Sequence, residues 1–214
     1  METSQLIPFI RQIINETATV ADEFTAETDA ALADFILAAM KQLVLMPNYQ
    51  STPVTMAQEE GLVSFHQRPD GMYYAAITAP ADFLAPSSIR LEGWVKPVYV
   101  FLPVTNSLYQ AQFSSAKGVG NGPHLPVAFL VSQQDTVVVA HSVRQPGACE
   151  FRYIPIPSIN EEGIIQNFQA DHYREALAYT AAALYLQSIN DYSGAKAAFD
   201  TAGAYIQNTN KEQS

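Results

Sequence analysis

Charge is what this sequence has least of. Only 15 % of its 214 residues are Asp, Glu, Lys or Arg, against roughly 25 % in an ordinary soluble domain, while apolar residues hold a normal 48 %. That balance points to polar-neutral surface meant for other protein rather than for water. Basic residues are scarcest: 11 Lys and Arg stand against 21 Asp and Glu, a net charge of −10. Nucleic-acid binders gain affinity by releasing counterions through clustered cations, so this chain is not expected to grip phosphate, although it could surround DNA as a repulsive wall. Cys149 is the single cysteine, which excludes an internal disulfide and sets the expectation of a reducing compartment. No uncharged apolar run nears the ~20 residues needed to span a bilayer, and Met1 to Pro8 shows no basic patch followed by an apolar core. The expected protein is made in a cytoplasm and makes no membrane contact. Its length suits one well-cored domain or two small layers.

What is present is a helical period at both ends and a β-like pattern between them. Leu6, Phe9, Ile10, Ile13 and Ile14 recur at helical spacing from Gln5 to Glu16, with Pro8 tolerable near the first turn. Val20 to Thr28 reads as a connection. A longer helix is predicted from an N-cap at Thr28, with Asp29 at the positive dipole end, to Met46, where Pro47 stops it. Its stripe is Leu32, Phe35, Ile36, Ala39, Met40 and Leu43, and the two helices are expected to pair antiparallel. Near the C-terminus, Tyr173, Ala176, Leu177, Ala181, Leu184 and Tyr185 form a stripe from about Ala170 to Ile189. A turn at Asn190-Asp191 leads to a second stripe of Ala195, Ala198, Phe199, Ala202 and Ile206, and the tail from Asn208 is expected to fray. Phe35 and Leu184, central in their stripes, are expected to be buried.

From Val54 to Ile154 short β-branched and aromatic runs alternate with proline and glycine. Leu62–Gln67 and Met72–Thr78 flank Arg68-Pro69-Asp70-Gly71. Proline presets φ at the first turn position and glycine accepts the left-handed one, so a hairpin is predicted. Further strands are expected at Ile89–Leu91, Val98–Leu102, Val127–Ser132, Thr136–Ala140 and Glu150–Ile154. Between Trp94 and Cys149 only Lys96, Lys117, Asp135 and Arg144 are charged. Sheets normally protect edges and faces with charge, so this one is covered either internally or by neighbouring subunits, and the second is expected. The predicted fold is α+β: helices 1–50 and 158–214 forming a small terminal bundle around a β-rich insertion, 51–157. The candidate interface residues of that insertion are Phe83, Trp94, Tyr109, Phe129 and Val138.

Chemistry-bearing motifs are thin. His66, His124, His141 and His172 show no metal-ligand spacing. Gly118-Val119-Gly120-Asn121-Gly122-Pro123 lacks the lysine and hydroxyl of a phosphate loop, and Pro123 and Pro126 cannot open the helix that a dinucleotide fingerprint requires. It reads as a connection. Cys149 sits in a strand-like run, as small buried hydrophobes do. No nucleophile elbow exists, and Glu59-Glu60 and Glu161-Glu162 read as solvated loop pairs. No catalytic residue, cofactor or metal is expected. Tyr179, Ala183, Tyr192, Ala195, Phe199 and Ala202 resemble a single tetratricopeptide unit, but such repeats need about three copies to bury a core.

Two features carry a broader resemblance. A helix pair ending in Met46-Pro47-Asn48-Tyr49, then a sheet, then a helical hairpin opening with Asp171-His172-Tyr173-Arg174-Glu175-Ala176-Leu177-Ala178-Tyr179 looks like the head-to-tail connector, or adaptor ring, proteins of tailed phages. In the middle, Pro80-Ala81-Asp82-Phe83-Leu84, Gly93-Trp94, Pro97-Val98, Ser107-Leu108-Tyr109 with Gln112, and Gly120-Asn121-Gly122-Pro123 with Pro126-Val127 resemble a run in structural proteins of gut Bacteroidales phages, crAss-like ones included. The resemblance implies a virion protein at the portal–tail junction, synthesised in the host cytoplasm. It also implies a homo-oligomeric ring, dodecameric like the portal, that contacts the portal and other tail or ring proteins. DNA would pass through its lumen without specific binding. Connectors of this kind carry no catalytic residues. The competing expectation is a carbohydrate- or peptide-binding module, with Trp94, Tyr73, Tyr74 and Tyr109 as stacking platforms. A wall hydrolase would need a convergent carboxylate pair in a cleft.

Overall fold

The computed structural model describes residues 1–17, 29–46, 49–56, 61–112, 124–133 and 136–211. The expected connection Val20–Thr28, the cap at Thr28, the stop at Pro47, the pair Glu59-Glu60 and the glycine-rich Gly118–Pro123 lie outside these residues. In chain order the elements are α1 (Thr3–Thr17), α2 (Asp29–Leu43), β1 (Val54–Thr55), β2 (Val63–Gln67), β3 (Tyr73–Thr78), β4 (Phe83–Leu91), β5 (Phe101–Pro103), α3 (Ser107–Ala111), β6 (Ala128–Gln133), β7 (Thr136–Ser142), β8 (Cys149–Pro155), β9 (Ser158–Ile159), β10 (Ile165–Gln166), α4 (Arg174–Ser188) and α5 (Tyr192–Lys211). The fold is α+β, with N- and C-terminal helices packed together and a β-rich stretch between them in sequence. The chain divides into two compact units, one of Met1–Thr52 with Ile156–Ser214 and one of Pro53–Pro155. No helix among the described residues is long and apolar enough to cross a membrane.

The helical unit is organised by α4. Ala176, Leu177, Ala178, Ala181, Ala182, Ala183, Tyr185 and Leu186 are all buried, so the helix is enclosed on more than one face, as an apolar helix inside a bundle must be. Its alanines lack bulk, which lets α1, α2 and α5 all pack against it. The expected α1–α2 contact is present, and each of those helices packs more extensively on α4 than on the other. Thr180, also buried, satisfies its hydroxyl by donating to the Ala176 carbonyl at 2.7 Å.

Phe35 and Leu184 are half-buried rather than buried. The interior is filled by their neighbours Ile36 and Leu186, both 0 % exposed, while Phe35 lies edge-on to Tyr185 at 5.8 Å. The C-terminal tail is also more regular than expected. Helix α5 continues to Lys211, and the Thr209 hydroxyl bonds back to the Tyr205 carbonyl at 2.9 Å.

An aromatic clamp, which helical spacing does not encode, joins the segment after α2 to the start of α4. The Tyr49 ring stacks on Phe168 at 5.2 Å and tilts against Tyr173 at 4.6 Å. The Tyr173 hydroxyl accepts from the Gln50 N–H at 3.0 Å, and the Tyr49 hydroxyl accepts from the Gln169 N–H at 3.2 Å. Burial pushes the Tyr49 phenol up to about 12, so it stays protonated. The turn before β10 holds the N-terminus: the Thr3 N–H donates to the Gly163 carbonyl at 2.9 Å. Gly163 has φ +76°, and a Cβ there would meet Thr3 Oγ1 at 2.9 Å, so only glycine fits.

The β unit is two sheets sharing one core. The five-stranded sheet runs β2-β3-β7-β6-β5 and the three-stranded sheet β1-β8-β4. Ala75, Ile77, Ala128, Val138 and Ala140 from the first cluster with Ile89, Leu91, Cys149, Phe151 and Tyr153 from the second, and Trp94 and Val98 join them. The hairpin forms at the expected turn, where Gly71 has φ +81° and the Arg68 N–H bonds the Met72 carbonyl at 2.7 Å.

Two strands differ from expectation. β4 starts at Phe83 rather than Ile89, running through Pro86; it is an edge strand with shifted register at two points, where a missing N–H is tolerated. The expected strand Val98–Leu102 is split. Val98 bridges to Ile89 of β4, whereas Phe101–Pro103 pairs parallel to β6 in the other sheet.

Two substitutions test the α4 arrangement. Ala181→Leu should destabilise by about 1–3 kcal/mol through overpacking. Tyr173→Phe should cost about 1 kcal/mol by removing the Gln50 hydrogen bond. Urea unfolding followed by circular dichroism measures both, and a midpoint unchanged in either variant would contradict the packing described.

Candidate functional site

The outer face of the five-stranded sheet carries a set of side chains that sequence spacing does not bring together. Alternation along a strand sends Ala75, Ile77, Val138 and Ala140 inward, so their neighbours Tyr74, Ala76, Val139 and His141 must face the other way. The register then builds rows across three strands. Ser64 pairs with Ala76 and Ala76 with Val139; His66 pairs with Tyr74 and Tyr74 with His141. The rings of the second row lie against one another, His66 on Tyr74 at 4.9 Å and Tyr74 by His141 at 5.8 Å. His66 Nε2 and Ser64 Oγ are hydrogen-bonded at 2.9 Å.

A cleft of about 680 Å³ opens over these rows. Arg68, in the hairpin turn, lines it. Its guanidinium is held by the Gln112 carbonyl at 2.8 Å and by the Asp70 carboxylate at 2.7 Å. Tyr109 lines it from α3, which is started by Asn106, whose side chain accepts from the Leu108 N–H at 3.0 Å. The Tyr109 ring stands edge-on to Phe129 at 5.1 Å.

His141 is 2 % exposed. Burial, reinforced by the Arg68 charge and opposed by Asp70, lowers its pKa from 6.5 to about 4. It is therefore neutral at pH 7, with one ring nitrogen donating and one accepting. Cys149 lies in the core instead. Burial, with a smaller contribution from Glu150, pushes its thiol up to about 12, so it is fully protonated at neutral pH and carries no thiolate to react.

The residues nominated from sequence distribute unevenly. Tyr74 and Tyr109 line the cleft. Tyr73, one residue along β3, is half-buried and faces the opposite way by alternation. Trp94 is 3 % exposed in the shared core, and its indole N–H has no partner among the described residues. It is thus no stacking platform. Phe129 and Val138 are each 0 % exposed, and their side chains are enclosed within the unit because both sit on central strands. Phe83 is half-buried against Phe151 and Tyr153 at 6.3 and 5.9 Å.

In the β unit the exposed large apolar side chains are instead Val95, Tyr99, Val100, Val104, Leu125 and Leu130, and the helical unit exposes Leu45, Ile189, Tyr192 and Tyr205. For Tyr99 and Val100 the reason is the split strand. Residues 99 and 100 cross from one sheet to the other, and the side chains of Tyr99 and Val100, each 70 % exposed, enter neither core. His66 and His141 were legible only as separate histidines, because they are far apart in the chain and only their shared pairing with Tyr74 joins them. Comparison with protein-family models and with curated proteins finds no match.

Both ionisable groups give testable behaviour. His141 has a folded pKa below its unfolded one, so the unfolded chain takes up the proton first. Its contribution to stability is complete above pH 6.5 and is lost as pH falls towards about 4, amounting to about 3 kcal/mol at 1.4 kcal/mol per tenfold change in proton affinity. His141→Gln should therefore flatten the fall in urea midpoint between those pH values; a slope equal to that of the natural chain would refute the assignment. Cys149 should resist a thiol-specific reagent at neutral pH and react once the chain is unfolded in urea.

Proposed function

We propose that this chain is a non-catalytic structural subunit of a phage virion, a head-to-tail connector that assembles into a ring between portal and tail. The observation that carries the reading is the group of exposed apolar side chains within residues 95–104. Within that segment Val95, Tyr99 and Val100 are 62 %, 70 % and 70 % exposed, and Lys96 is its one charge. Leu130, 40 % exposed, pairs with Pro103. Single exposed apolar residues need no explanation, whereas a contiguous group marks an interaction site. Interface centres are depleted in charge and enriched in aromatic residues, which matches Tyr99 among valines.

A closed ring needs two complementary surfaces on each subunit, and this run supplies one. The −10 net charge suits a channel that DNA must traverse, because cationic contacts to phosphate would retain the genome. The sequence resemblance to adaptor rings supplies the virion context and the expected partners, the portal and neighbouring tail or ring proteins.

The decisive experiment is assembly. The purified chain, alone and mixed with its portal, should sediment as a ring or a portal complex and give annular particles by electron microscopy. A Tyr99→Glu, Val100→Glu double variant should remain monomeric with an unchanged circular dichroism spectrum, since both side chains lie outside the cores. A natural chain that stays monomeric with and without portal, or a double variant that assembles normally, overturns the proposal.

A further inference from the structure

We infer that the cleft on the outer face of the five-stranded sheet binds a saccharide, meaning a neutral, hydroxyl-rich ligand with flat apolar patches. The proposal is independent of the ring reading, because the cleft and the 95–104 run share no residue.

Size comes first. At about 680 Å³ the cleft falls within the roughly 300–1,000 Å³ typical of small-molecule sites. Its chemistry then separates the ligand classes. Among the described lining residues, Arg68 is the single one of the Asp, Glu, Lys and Arg types, and its guanidinium already holds Asp70 and the Gln112 carbonyl. An anion would need a surplus of cationic donors, in a chain whose net charge is −10, and Asp70 offsets the Arg68 charge. A cationic ligand would need carboxylates, and none lies among the described lining residues.

An apolar ligand fails for a different reason. It would cover the exposed His66 ring and the half-buried Ser64 and Thr136 hydroxyls while offering no replacement for the water that meets their remaining hydrogen-bonding capacity, and each polar group so desolvated costs about 1–3 kcal/mol. A sugar satisfies both requirements. Its hydroxyls donate and accept, matching the two-way capacity of the Ser64 and Thr136 hydroxyls and of the exposed His66 imidazole. Its C–H faces pack on the apolar floor, for which the half-buried Ala76 and Val139 are available.

Preorganisation supports the same conclusion. His66 is fixed from both sides, by the Ser64 hydrogen bond and by the stack on Tyr74, and Arg68 is fixed by its two partners. Side chains ordered before the ligand arrives lose little entropy on binding.

The test uses the full chain and saturation-transfer difference NMR with glucose, galactose, N-acetylglucosamine and rhamnose, free and as short oligomers. Sodium phosphate and a short unstructured peptide serve as comparison probes. At least one saccharide should give saturable transfer, and His66→Ala should weaken it about tenfold, the worth of one hydrogen bond to a ligand hydroxyl. His66 is exposed, so that variant leaves the core intact and its circular dichroism spectrum should be unchanged. Ala76→Arg, which fills the floor, should abolish transfer. Four results overturn the inference: no transfer to any saccharide, binding undiminished in His66→Ala, binding undiminished in a folded Ala76→Arg, or binding of phosphate or peptide alone.

Discussion

The antiparallel pairing of β3 with β7 sets the core and the cleft of the β unit together, because both strands lie inside the five-stranded sheet and both of their faces are in use. Ala75 opposite Ala140 and Ile77 opposite Val138 bring small and branched side chains together over the core. The intervening residues, Tyr74 opposite His141 and Ala76 opposite Val139, then form the cleft. A shift of one residue would exchange the two sets, putting imidazole and phenol into the core and isoleucine into water. Each fully buried aliphatic side chain contributes about 1.5–3 kcal/mol, so the register is held by the inner face and the cleft inherits its geometry from it.

The helical unit meets its constraint by a different route. Alanine on several faces of α4 lets three helices approach one axis, and the cost is that little large apolar surface remains on α4 itself. Larger side chains on the surrounding helices complete the packing: Leu6, Ile10 and Ile13 of α1, Leu32, Ile36 and Met40 of α2, and Ile206 of α5 are all buried. The clamp of Tyr49, Phe168 and Tyr173 adds aromatic contacts worth about 0.5–1.5 kcal/mol each beyond area burial. Its phenols accept backbone N–H groups that would otherwise need water or another partner.

The two surfaces offered by the β unit differ in kind. Tyr99 and Val100 are exposed because they belong to neither sheet: the chain leaves a bridge to β4 at Val98 and joins β6 at Phe101. Poor in charge, with valine and tyrosine side chains outward, the 95–104 run suits a protein partner. The cleft is lined by groups that donate and accept hydrogen bonds and is held by strand register and by the Arg68 contacts, which suits a small polar ligand.

Much of the fold was legible in local pattern. Helical periodicity located α1, α2, α4 and α5, and Pro69 and Gly71 located the β2–β3 turn, because these signals depend on neighbours within a turn or two of chain. The split of Val98–Leu102 was not legible, since a β-branched run looks the same whether it pairs with one sheet or two. The N-terminal half of β4 was hidden by Pro86, which only an edge position can accommodate. Phe129 and Val138 were nominated as interface residues from a charge-poor run, but lack of charge reports apolar character and not which face a side chain takes. By itself, then, the sequence determined the element types, the α+β class and the poverty of charge. Tertiary structure alone decided that His66, Tyr74 and His141 form one row, that Trp94 is interior and Tyr99 exterior, and that α4 is the hub. Those outcomes depend on pairing between residues far apart in the chain, which local periodicity does not record.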